Sequence, residues 1–148
     1  MIDATRPYRR IEIDKVFTKA KAVMQVAALL RGKAKGLDKA HYQDIYTGKD
    51  LIGGDPYDYE HIRSSEEIHS KYKSILTDDQ IALVVNCPEN VGVTLTFINK
   101  SKGKRKMEDW LSNPANIVVN GIDLKLTLAN LKKADDGIER MVKSLKKT

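Results

Sequence analysis

With 148 residues, 41% hydrophobic and 31% charged, the chain can bury about two-thirds of the surface its unfolded form exposes, and it is too apolar to remain disordered. Lys and Arg outnumber Asp and Glu by 26 to 20, a net charge of +6 that favours polyanions over neutral metabolites as partners. The single cysteine, Cys87, excludes an intramolecular disulfide and the paired CxxC knuckles of a structural zinc site, and the longest apolar run, Val23 to Leu30, is broken by Gln25 and too short to span a membrane.

From Asp14 to Leu30, the apolar residues Val16, Phe17, Ala20, Val23, Met24, Ala27 and Leu30 fall on one helical face, with Asp14 as the expected N-cap. Gly32 and Gly36 in RGKAKG end that helix, and the lysines there suit the negative end of its dipole. LDKAHYQDIY predicts a shorter helix, and YTGKDLIGGDP, punctuated by Gly48 through Pro56, predicts a loop. YDYEHI alternates aromatic and acidic residues as a strand does, and SSEEIHSKY opens with a capping box, Ser64 to Glu67, that predicts a helix.

Ile81 to Val85 is a compact β-branched run, and VGVTL after Asn90 is another; with NCPEN as the turn, the two are expected to pair as a hairpin. Thr94 is the expected cap of a helix through LTFINKSKGKRKMEDWL that carries Asn99. Two amphipathic helices, near Leu124 to Leu131 and from Asp135 to Leu145, complete the reading.

Three histidines are present. His41 lacks a ligand-spaced neighbour and reads as a surface or packing residue, whereas His69 could face either a site or solvent. His61 directly follows Asp58, Tyr59 and Glu60 at the end of the expected strand. Downstream, Asn99 offers an amide oxygen to a hard cation and is followed by Lys100, Lys102, Lys104, Arg105 and Lys106, which suit phosphates. Acid, histidine, amide and cations together fit phosphodiester hydrolysis. Taken alone, NKSKGKRK reads as a solvated basic turn or a heparin-type patch.

YTGKDL, YDYEHI and ENVGVTLTFINKSKGK, over about residues 45–111, resemble the HNH (His-Asn-His, ββα-metal) endonucleases, including the nuclease lobe of RNA-guided CRISPR effectors. There a YDIDHI-like strand is followed by N-x-x-L-T and then N-x-x-KG. This chain departs in having Glu60 where many members have Asp, and in the SSEEIHSKYKSILTDD insertion. The resemblance implies an α+β, helix-rich single domain over residues 1–148, with a ββα-metal core and helical extensions at both ends.

It further implies a metal-dependent endonuclease acting on DNA, with His61 as general base and Glu60 and Asn99 binding one Mg²⁺ or Mn²⁺. Asn90 would fasten the turn that carries His61, and Lys100, Lys102, Lys104 and Arg105 would contact phosphates. Asp58 is an auxiliary, on the metal or paired with a lysine, and His69 is another. Restriction, defence and toxin roles all fit such an enzyme, and an immunity or regulatory protein is a candidate second partner. As written the chain reads as cytoplasmic, with an exported toxin domain as the alternative, and it shows no basic amphipathic face for a membrane. The competing reading is a non-catalytic nucleic-acid-binding module.

Overall fold

The structure, a computed structural model, describes residues 2–146. Helix α1, Ile11–Ala34, starts ahead of its expected cap, so Asp14 lies inside the first turn with Glu12, where both carboxylates complement the positive end of the dipole; Arg31 and Lys33 complement the other end. Gly32 is required by packing rather than by termination. A Cβ there would lie 1.8 Å from the carbonyl oxygen of Lys39, where the chain turns back against the helix.

Residues 37–46, expected as a helix, instead contain strand β1, His41–Gln43, which pairs antiparallel with β2, Asp50–Ile52, inside the expected loop. Asp44 explains the difference. Its Oδ1 accepts the backbone N–H groups of Tyr46, at 2.8 Å, and Thr47, at 3.2 Å, so the side chain closes a turn in competition with helical hydrogen bonds.

Strand β3, Tyr57–His61, forms where YDYEHI predicted it, and pairs antiparallel with β4, Val91–Leu95, in the register His61 to Val91 and Tyr57 to Leu95. Between these strands lie α2, Ser65–Tyr72, α3, Asp78–Val85, and a 3-10 turn, Pro88–Asn90. Ser64 caps α2 by accepting from the Glu67 N–H. The expected hairpin between Ile81–Val85 and VGVTL does not form, because Ile81–Val85 is helical. Thr77 and Gln80 make a full capping box that starts α3, and Ile81, Ala82, Val84 and Val85 all bury in a core with Ile13, Ile68, Leu76 and Ile138. Capping and tertiary burial outweigh the β-propensity of the run.

Thr94 is not a cap either. It is fully buried in β4, and its hydroxyl donates to Asp44 Oδ1 at 2.9 Å. Helix α4, Thr96–Lys102, follows without a side-chain cap, and then come α5, Met107–Leu111, and α6, Pro114–Asn120. The two helices expected at the end of the chain are one, α7, Leu124–Lys146. Gly137 does not break it; the helix uses that glycine to approach the Pro88–Asn90 turn, where a Cβ would meet Glu89 Cβ at 2.6 Å.

Among the described residues the class is therefore α+β, with seven α-helices and two small antiparallel sheets. A second core cluster, Tyr46, Ile62, Ile98, Met107, Trp110, Leu131 and Ala134, packs α4, α5 and α7 against the end of β3. A third, Ala28, Ala40, Tyr42, Leu51 and Val93, joins α1 to the strands. No helix among the described residues is long and apolar enough to cross a membrane.

Candidate functional site

Successive side chains of a strand point to opposite faces. In β3 this sends His61 toward α1, where its ring lies 4.2 Å from that of Phe17, and Glu60 toward α4, where Oε1 lies 2.7 Å from Lys102 Nζ. Because both residues sit at the end of the strand, both also line one cleft of about 330 Å³, together with Asn99, Arg10, Phe17 and Lys104. Glu60, His61 and Asn99 thus line one cleft.

The tautomer of His61 follows from its partner. Asn86 Nδ2 donates to the carbonyls of Ile13, at 3.1 Å, and Ala82, at 2.9 Å, so the Asn86 carbonyl oxygen must face the imidazole. At 2.8 Å it accepts from His61 Nε2–H, and the ring's lone pair is then on Nδ1. Burial pushes the imidazole pKa down to about 4, the nearby Arg10 and Lys102 charges act in the same direction, and the Asn86 hydrogen bond opposes them. His61 is a neutral base throughout the physiological range.

Glu60 is 5% exposed and Lys102 3% exposed, so their ion pair is internal. Burial raises the Glu60 carboxyl above its ordinary value even though the Lys102 ammonium pulls it down. Glu60 Oε2 and the Tyr46 hydroxyl are buried side by side, without a partner at ordinary hydrogen-bond geometry among the described residues, and burial beside Glu60 drives the Tyr46 phenol well above its usual range. Lys102 is accordingly corrected from a phosphate contact to the internal counter-ion of Glu60. A charge of this kind, withdrawn from water, persists only when paired.

Among the described residues Asp58 pairs with no lysine, and it does not line the cleft. Its carboxylate accepts from Thr96 Oγ1, at 3.1 Å, and from Asn99 Nδ2, at 3.0 Å. The second bond fixes the amide of Asn99, leaving Oδ1 as the atom free to meet a cation. Asn90 is fully buried, and its side chain accepts from Arg63 N, at 2.7 Å, and donates to the carbonyls of Arg63 and Val85. It ties together the backbone just beyond His61 and the end of α3. Arg63 extends that anchorage with a two-pronged pair to Glu108, at 2.6 and 2.8 Å, and a second pair to Asp135 on α7, at 2.8 and 3.0 Å.

Lys100, Lys104 and Arg105 are exposed at the end of α4 and in the turn after it. Lys104 reaches Glu66 across the cleft at 3.0 Å, and Arg105 donates to the carbonyl of Ser101. His69 is corrected from a site auxiliary to a core residue: it is 5% exposed, meets the Tyr8 ring edge-on at 5.4 Å and lies outside the cleft. His41, in β1, packs beside Asp50 at 3.2 Å, in keeping with its expected role.

Among the described residues no group of three or more His, Cys, Asp or Glu is arranged to hold a metal ion. The residues on this cleft that could offer oxygen to a hard cation are Glu60, with Oε1 taken by Lys102 and Oε2 buried beside Tyr46, and Asn99, through Oδ1. With at most two protein donors, an ion there would keep most of its water, as Mg²⁺ does, and Glu60 would have to turn from Lys102 to reach it.

Asn86, Tyr46, Asp44 and Arg10 escaped the sequence reading. Asn86 would have been visible had Ile81–Val85 been read as helical, since it then falls at the C-cap, one turn after Ala82. The others carry no motif. The chain matches no protein-family model, no curated protein and no solved structure.

Proposed function

We propose that this chain is a metal-dependent endonuclease of the HNH type that hydrolyses DNA phosphodiesters in the cleft bounded by β3 and α4. The observation that carries the reading is the convergence of Glu60, His61 and Asn99 on one cleft, from residues 39 positions apart at the extremes, beside exposed cations. In this reading β3, β4 and α4 are the ββα-metal unit, and α2, α3 and the 3-10 turn are inserted between its strands.

His61 acts through Nδ1, because Asn86 occupies Nε2–H. Its low pKa keeps the lone pair available at neutral pH, and the entry of an anionic phosphate favours the imidazolium, strengthening the base when substrate is bound. Nδ1 takes the proton of the attacking water. Glu60 and Asn99 would hold one Mg²⁺ or Mn²⁺, which supplies Lewis-acid stabilisation of the charge developing on phosphorus and on the departing 3′-oxygen. Asn99 is oriented for this by Asp58, and Lys102 offsets part of the negative charge of Glu60. Lys100, Lys104 and Arg105 meet the backbone without reading sequence.

A second reading, a nucleic-acid-binding module without catalysis, is favoured by one observation: the Lys102 ammonium already holds an oxygen of Glu60. Plasmid nicking separates the two. Wild-type protein with Mg²⁺ or Mn²⁺ is expected to nick, and EDTA or His61→Ala to abolish nicking while the thermal melt stays cooperative. Binding without cleavage under either metal would favour the module, and cleavage by His61→Ala would remove the catalytic role of that residue.

A further inference from the structure

Arg10 lies on the wall of the cleft opposite α4, contributed by the segment that leads into α1, which has no part in the motifs behind the proposed nuclease reading. Its guanidinium is held in place on three sides. Nη1 donates to Ser65 Oγ at 2.9 Å and to the Tyr8 hydroxyl at 3.2 Å, while Nε and Nη2 meet Asp14 Oδ1 at 3.1 and 3.0 Å. The side chain nevertheless remains 46% exposed, and Asp14, its acidic partner, is 58% exposed. Arg9 is as well paired and, at 55%, as exposed, so what sets Arg10 apart is its place on the cleft.

The charge distribution across the cleft points the same way. Lys102 is committed to Glu60 in the interior, so it cannot follow a polyanion along the surface. Lys104, 83% exposed although it reaches Glu66, marks the α4 edge and Arg10 the α1 edge, and His61 lines the same cleft. Adjacent Arg9 makes a useful contrast: it pairs with Glu12 and with Asp78, at 3.3 Å, and does not line the cleft.

We infer that Arg10 binds a phosphodiester group of the substrate strand, one flanking the scissile group, and so fixes where that strand lies against His61. The inference rests on the nuclease reading and extends it. A guanidinium already aligned by Ser65 and Tyr8 loses little rotamer freedom on meeting a phosphate. The contact is sequence-independent, and it makes the N-terminal segment part of the substrate track.

The test is binding rather than cleavage. Fluorescence anisotropy with a labelled 20-nucleotide single strand and the matching duplex, in EDTA, is followed from 50 to 300 mM salt for wild type, Arg10→Met, Arg10→Lys and Arg9→Met. Removing one phosphate contact lowers the slope of log Kd against log salt by about 0.7 to 0.9. Arg10→Met should show that decrease with a loss of affinity of about five- to tenfold at 100 mM salt, Arg10→Lys should keep the wild-type slope, and Arg9→Met should behave as wild type. Equal slopes for Arg10→Met and Arg9→Met would overturn the inference, as would a wild type that binds neither probe. Arg10→Lys keeps the test open should Arg10→Met unfold: full loss of slope in the charge-preserving variant also counts against it. If the wild type nicks plasmid and Arg10→Met shows no change in slope, only the role of Arg10 fails. If the wild type neither binds nor nicks, the nuclease reading fails with it.

Discussion

Acidification should destabilise the protein through His61 by an amount that can be worked out in advance. The imidazole falls from an ordinary pKa of 6.5 in the unfolded chain to about 4 in the fold. The unfolded state therefore binds the proton more tightly, and the stability contributed by neutral His61 is complete above pH 6.5 and is lost as pH falls through 4. Linkage puts the loss, relative to pH 7, at about 2 kcal/mol at pH 5 and about 3 kcal/mol at pH 4. Urea unfolding at pH 7, 5 and 4 reads this as a fall in midpoint of about 1 M at pH 5. Paired carboxylates such as Glu108, held down to about 2 by Arg63, also weaken the fold in acid, so the informative quantity is the difference from His61→Gln, which can still donate to Asn86 but does not titrate here. Wild type should lose about 2 kcal/mol more than the variant between pH 7 and pH 5. Parallel losses in the two proteins would refute the reasoning, as would an NMR titration in which the His61 ring protonates near pH 6.5.

Asn86→Asp places a carboxylate against Nε2–H and should raise the His61 pKa by about 1 to 3 units, moving the acid limb of a nicking pH profile upward by the same amount. Lys102→Met strands Glu60 in the interior and should cost about 3 kcal/mol at neutral pH. Because the Glu60 carboxyl then lies further above its unfolded value, the penalty should grow as pH rises, and denaturation at pH 5 and pH 8 checks the sign. Asn90→Ala removes three buried hydrogen bonds and leaves Arg63 N–H unsatisfied; about 3 kcal/mol is expected, read as a fall in Tm of about 10 °C.

How far the fold could be read depended on whether local signals were decisive. The period of α1, the alternation of YDYEHI and the Ser64 cap are local, and each element formed. The run Ile81–Val85 is as apolar as a strand and as short as one, and its β-branched residues outvoted the Thr77–Gln80 box that starts a helix. At residues 37–46, helical composition yielded to one side chain, Asp44, whose turn closes β1 on β2. The separation of Glu60 from Asn99 along the chain gave no measure of their distance; only the pairing of β3 with β4, which carries α4 back beside β3, brings them to one cleft. Lys102 was opaque for a different reason. In NKSKGKRK every cation looks alike, and which one turns inward is decided by Glu60 on another element.

The placement of α2 and α3 between the paired strands bears on how portable this site is. Its two sheet strands are separated along the chain by helices that pack on Ile13 of α1 and on Ile138 and Val142 of α7. The floor beneath α4 likewise draws on Leu131 and Ala134. Pairing of β3 with β4 is thus long-range in the chain, and contacts from both ends of the chain help to offset its cost in loop entropy. Residues 45–111, cut out and grafted elsewhere, would carry every residue of the motif but lose the core contacts that Ile13, Leu131, Ala134, Ile138 and Val142 supply from the two ends of the chain.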